Sequence, residues 1–311
     1  MLLYAQIPLS PLSGSKLEAS GSEADMVSSH GCFVWYELAT TDAEAAKAFY
    51  ADVVGWGLRD ASMPGAAYTL FTAGEIAVAG LTGLPPEARK MGAQPRWMGY
   101  VGVDDVDAAT ERLKRLGGTV YVPPTDVPEI SRFSVVADPQ AATLALVKGL
   151  NSGQEQSTAL TSPGHVGWHE LSAVDWEKAF AFYGELFGWQ QVDADFGGIV
   201  TYQLFSAAGQ TIGSMSTKPP TVPMPFWLYY FNVDDIDAAI VRVKAGGGKI
   251  LEGPVEAPGE KRIARCTDPQ GAMFALTGAS RTKAIGYFGP AAADDPAATR
   301  LFMPKKAGPN A

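Results

Sequence analysis

A chain of 311 residues with 47% hydrophobic and 18% charged side chains has the make-up of a packed globular protein and, at ~150 residues per domain, room for two domains. Its 24 Lys and Arg against 33 Asp and Glu leave a net charge of −9, which speaks against nucleic acid or an anionic membrane surface as partner, since both demand a basic face. No apolar run approaches the ~20 residues needed to cross a bilayer, and two cysteines (Cys32, Cys266) with three histidines (His30, His165, His169) exclude a disulfide framework or a cysteine-rich zinc site.

Residues 1–29 are rich in Ser, Gly and Ala without sustained periodicity and are expected to form a flexible tail. They lack the charged region and the ~7–15 apolar residues of a signal peptide, so a cytoplasmic location is expected. The first patterned segment is an apolar strand, Cys32–Leu38. Thr40, Thr41 and Asp42 then cap a helix over Ala43–Val53, which Gly55 ends. Alternation at Tyr68–Thr72 and Ile76–Leu81 predicts strands. Trp97–Val103 predicts another strand, Asp104 the cap of a helix running to Leu116, and Gly117-Gly118 its stop. Thr119–Val122, Arg132–Ala137 and Thr143–Val147 read as further strands. Residues 150–162 have linker composition.

Beyond the linker the chain repeats itself. Val34-Trp35-Tyr36-Glu37-Leu38 matches Gly167-Trp168-His169-Glu170-Leu171, Ala48-Phe49-Tyr50 matches Ala181-Phe182-Tyr183, and Gly55-Trp56 matches Gly188-Trp189, all 133 residues apart (35 to 168). Val103–Ala109 matches Val233–Ala239, and Asp138-Pro139-Gln140 matches Asp268-Pro269-Gln270, 130 residues apart (104 to 234). Two domains follow, 30–149 and 163–278, with a tail over 279–311. Each reads β-α-β-β-β twice, so the chain holds four such modules. Helices on one side of a curled mixed sheet make an α+β fold with a concave cleft in each copy.

The strand, Asp-capped helix, Phe-Tyr and Gly-Trp succession resembles the vicinal oxygen chelate superfamily of glyoxalase I, extradiol dioxygenases and bleomycin-resistance proteins. The Trp-X-Glu-Leu opening, Trp97–Asp107 and the Asp-Pro-Gln turn are similar to its tandem-domain branch related to lactoylglutathione lyase. The resemblance implies metal ligands at Trp35, Met98 and Ala145, and again at Trp168, Leu228 and Ala275. None of these six side chains is a ligand for a hard divalent ion, so no metal and no cofactor are expected. The dioxygenase chemistry of the superfamily is disfavoured on the same ground.

Side chains alternate along a strand. Counted from Trp35, Trp168, Met98 and Leu228, the clefts should receive Glu37, Tyr100, Glu170, Ser172, Tyr230 and Asn232 as well. An aromatic wall with a few placed polar groups suits a small ligand. A Glu among aromatics would be desolvated and its pKa raised, fitting Glu37 or Glu170 for general base work with Tyr as oxyanion donor. Three functions follow: binding of a small aromatic or carbonyl-containing molecule without a catalytic metal, a glyoxalase- or isomerase-type enzyme using a cleft Glu, or an interaction protein with vestigial clefts. Cations such as Arg96, Arg132 and Lys261 would offset the acidic clefts wherever the fold brings them close, which the sequence does not fix. His169 should face away from its cleft, and His30 and His165 should lie at the surface. A fused pair supplies both halves of a dimer, so the expectation is a monomer, or a homodimer of such chains.

Overall fold

A computed structural model describes residues 29–149 (apart from 64, 91 and 129), 160–193, 202–257 and 261–279. The expected tails, and the linker up to residue 159, lie outside the described residues. The first domain runs β1 (Phe33–Thr40), α1 (Ala43–Val54), β2 (Gly57–Asp60), β3 (Tyr68–Ala73), β4 (Ile76–Gly83), α2 (Pro86–Lys90), β5 (Arg96–Gly102), α3 (Val106–Arg115), β6 (Thr119–Val127), β7 (Ser131–Ala137) and β8 (Thr143–Lys148). The second runs β9 (Val166–Ala173), α4 (Trp176–Phe187), β10 (Gln190–Val192), β11 (Tyr202–Ala207), β12 (Gln210–Thr217), β13 (Phe226–Asn232), α5 (Ile236–Ala245), β14 (Lys249–Ala257), β15 (Lys261–Thr267) and β16 (Met273–Gly278).

Each domain is one eight-stranded mixed sheet, in the orders β2-β3-β4-β1-β5-β8-β7-β6 and β10-β11-β12-β9-β13-β16-β15-β14. The joints β1–β4, β5–β8, β12–β9 and β13–β16 are parallel, while the two modules meet antiparallel at β1–β5 and β13–β9. The fold is therefore α+β, in tandem, with the module order read from the sequence. The Asp42 side chain accepts the Ala45 N–H at the start of α1, and Gly55 ends that helix in the left-handed conformation at φ 85°. At the next helix the cap is Asp105, not Asp104: the Asp105 carboxylate reaches the Ala108 N–H at 3.0 Å, and Asp235 caps α5 alike. An Asp-Asp pair offers two candidate caps, and the chain uses the second in both domains.

The inner faces of both sheets share a single core. Tyr36, Leu38, Phe49, Trp56 and Trp97 lie in one buried cluster with Leu171, Phe182, Trp189 and Trp227. Its polar groups are matched across the pseudo-two-fold. Tyr50 Oη donates to Asp268 and Tyr183 Oη to Asp138, both at 3.1 Å, while Trp56 Nε1 donates to the Gly164 carbonyl and Trp189 Nε1 to that of Gly31, both at 2.6 Å. The Asp-Pro-Gln turns thus fasten each domain to the other's first helix.

Candidate functional site

The outer faces of the sheets carry the predicted cleft residues other than Asn232. Register places Trp35 opposite Tyr100 and Glu37 opposite Met98, with Tyr100 beside Ala145. In the second domain Trp168 faces Tyr230 and Glu170 faces Leu228, with Tyr230 beside Ala275. Alternation fails at the start of each central strand, and Val166 turns inward before Trp168 as Phe33 does before Trp35. A bulge between Phe33 and Trp35 turns Phe33 inward, where its ring stacks on His169 at 4.1 Å.

In the first domain the outer face is closed. Trp35, Met98, Tyr100, Tyr68 and Phe133 belong to one buried cluster, and Glu37 is 2% exposed. Tyr68 Oη donates to Glu37 at 3.0 Å and accepts from Trp35 Nε1 at 3.4 Å. Burial pushes the Glu37 carboxyl up to about 7, against the smaller downward pull of the Tyr68 and Tyr100 hydroxyls. Gly80, paired with Glu37 across β1–β4, makes room for this arrangement: a Cβ there would stand 1.9 Å from Tyr68 Oη.

In the second domain Ser214 takes the place of Gly80 beside Glu170 and accepts a bond from Trp168 Nε1 at 3.3 Å. Glu170 is held by a cation: Arg265 Nη2 meets its two oxygens at 2.8 and 2.9 Å, and Tyr230 Oη donates to it. Arg265 lies on β15 opposite Ala275, whose methyl lets the guanidinium cross two strands to Glu170. Burial works to lower the Arg265 pKa but is outweighed by Glu170 and Tyr230, so the group is fixed as a cation. Burial, then the charge of Glu170, raises the Tyr230 phenol, which serves as a donor. Around this pair Trp168, Phe226, Ile263 and Met273 are only partly buried.

Arg265 was not among the cations expected to reach a cleft. Arg132 instead pairs with Asp107 and Asp126 at 2.7 and 2.9 Å. The internal repeat carried the missing signal, because 265 aligns with Val135 and an Arg replaces a buried Val in mid-strand. Ser172 is buried opposite Phe226. The Asn232 amide is engaged elsewhere, donating to the Leu160 and Ser162 carbonyls at 3.2 and 3.1 Å, where it holds the entry to β9. His165, expected at the surface, is buried, its Nδ1 3.1 Å from the Pro163 carbonyl. The turn before β9 folds back against β13 and covers it. His169 faces away from the cleft as alternation requires, and it is buried rather than exposed. Its Nδ1 lies 2.7 Å from the Ile212 carbonyl and must carry the proton, so Nε2 accepts from Tyr36 Oη at 2.6 Å. Burial lowers its pKa to about 4 and keeps it neutral. This pair borders an interdomain cavity of about 70 Å³ that Trp35, Ile76 and Gln210 also line.

The positions implied for metal ligands do stand side by side on each outer face, yet they offer two indoles, a thioether, a leucine and two methyl groups. That donor set does not fit a catalytic divalent ion. Among the described residues no group of three or more His, Cys, Asp or Glu is placed to hold one. No helix among the described residues is long and apolar enough to cross a membrane.

Known proteins share this architecture. CFP32 of Mycobacterium tuberculosis, whose glyoxylase designation is provisional, is 34% identical over 245 residues, covering 78% of this chain and 92% of its own. DnrV of Streptomyces peucetius, named an anthracycline biosynthesis protein, is 30% identical over 258 residues, 79% of this chain and 92% of its own. The Mn(II)-bound glyoxalase of Novosphingobium aromaticivorans superposes with a TM-score of 0.56 at 17% identity, covering 80% of this chain and 82% of its own. The 2,3-dioxygenase LapB of Pseudomonas sp. KL28 superposes with 0.53 at 12%, covering 79% and 91%. At those identities the solved structures speak to fold alone. The Glyoxalase/Bleomycin resistance protein/Dioxygenase family pattern matches residues 33–146 and again 163–276, and the chain belongs to that superfamily.

Proposed function

We propose that the protein binds a small aromatic or carbonyl-containing molecule on the outer face of its second domain, through side chains rather than a metal at the six family positions. One observation carries this reading. The Trp-Glu-Tyr set occurs twice, and among the described residues the second copy has four partly buried apolar side chains packed around its charged centre, against Ile130 alone in the first. Trp168, Ile263 and Met273 offer a face for a flat ring, and Arg265 and Tyr230 offer hydrogen-bond donors to its oxygens. The likeness to DnrV supports a polycyclic aromatic ligand. Titration with 2-(hydroxymethyl)anthraquinone, followed by tryptophan fluorescence and calorimetry, should saturate. Trp168→Ala should weaken binding at least tenfold, while Tyr100→Phe in the first domain changes it less than twofold. Absence of saturable binding, or equal losses from the two substitutions, would refute the reading.

Glu37 favours a second reading, a glyoxalase- or isomerase-type proton transfer. A carboxyl held at about 7 suits a general base, and the Tyr68 and Tyr100 hydroxyls beside it could stabilise an oxyanion. At 2% exposure, substrate would reach Glu37 only if Tyr68 swung aside. Glu37→Gln would then abolish turnover of a carbonyl substrate and leave anthraquinone binding intact; retained turnover would exclude Glu37 as the base.

A further inference from the structure

The two carboxylates on Arg265 are held very differently. Glu170, its side chain 15% exposed, engages Nη2 through both oxygens. Glu252, its side chain 50% exposed, touches Nη1 with one. It sits on the outermost strand, opposite Arg265 at the edge of a bulge, and a small depression lined by Glu252, Val255, Ile263 and Arg265 lies there. In the first domain the equivalent pair, in the same register, is Val122 and Val135. Rim carboxylate and guanidinium therefore occur together in one copy, where the other has two valines. A cation that had only to neutralise Glu170 would need no second partner at the mouth, and an exposed ion pair is easily exchanged.

We propose that Glu252 is a placeholder, and that the carboxylate of an aromatic acid takes its position on Arg265 Nη1 while the ring lies against Trp168 and Ile263. The inference rests on the second-domain binding reading and names its ligand class. A guanidinium N–H released from one carboxylate gives the same charge-assisted hydrogen bond to another. The displaced Glu252 turns to solvent, and its nearby charge opposes the incoming anion.

Anthraquinone-2-carboxylate and the neutral anthraquinone-2-carboxamide should be titrated against the full chain and against Glu252→Gln and Arg265→Met. Loss of the Glu252 charge should tighten the carboxylate about five- to tenfold and leave the carboxamide within twofold. Arg265→Met should weaken the carboxylate at least tenfold more than the carboxamide. If the carboxamide binds but Glu252→Gln leaves the ratio of the two affinities unchanged, the placeholder role is refuted while second-domain binding stands. If neither compound binds the unmodified protein, both proposals fall together.

Discussion

The outer faces of the two domains began as copies and now differ in how each treats its buried glutamate. In the first, neutral residues surround Glu37: Gly80 leaves a space, Tyr68 fills it, and Val135 supplies no charge. In the second, Ser214 stands where that space would be, and Arg265 answers Glu170 directly. A carboxyl can be kept inside a protein by holding its proton or by pairing its charge, and this chain uses one solution in each copy. The proton-holding solution makes a sealed, apolar face. The charge-pairing solution sets a guanidinium among partly buried apolar side chains.

The largest expected effect that tests this contrast is in pH-dependent stability. The folded value for Glu37, about 7, lies above its ordinary 4.5. Its favourable contribution is therefore complete below pH ~4.5, declines as pH rises, and is gone above ~7, where ionisation costs about 3 kcal/mol. Glu37→Gln should flatten the urea stability curve between pH 5 and 8 and leave the variant more stable than the parent at pH 8. An unchanged slope would mean that Glu37 is charged in the folded state and that the two faces are alike. Gly80→Ser imports the second domain's residue into the first. Because the new Cβ would fall 1.9 Å from Tyr68 Oη, the tyrosine must leave, at a cost of about 1–3 kcal/mol. A urea midpoint equal to the parent's would show that Tyr68 is not the seal. The smallest effect is that of Tyr68→Phe, which removes one hydrogen bond, at about 1 kcal/mol. Since that bond lowers the Glu37 pKa, carboxyl-carbon NMR should show Glu37 titrating at higher pH in the variant; a downward move would mean that water has entered and that burial is not the governing effect.

Much of this was legible in the residues alone. Apolar alternation with Asp and Gly punctuation is local, so most elements and the main helix ends could be read, apart from the short α2, the continuation of β6 to Val127 and the choice between Asp104 and Asp105. The repeat doubled the signal and gave the module order. Period-2 alternation also assigned Trp35, Glu37, Trp168 and Glu170 to the outer faces, because one residue's slip would have put Glu37 and Glu170 into the shared core. What could not be read was which distant side chain completes each face. Arg265 reaches Glu170 from two strands beyond β13, over Ala275, and Tyr68 reaches Glu37 over Gly80 from β3. Likewise the Asn232 amide faces a turn of the chain rather than its cleft, and Phe33 is turned by a bulge.

The sequence by itself determined the duplicated α+β architecture and the central Trp-Glu pair of each outer face, because those depend on the few neighbours that set a strand's pleat and a helix's cap. Only the tertiary structure decided that one glutamate keeps a proton near neutrality and the other meets a guanidinium, because burial and charge pairing depend on side chains that sheet pairing brings from far along the chain.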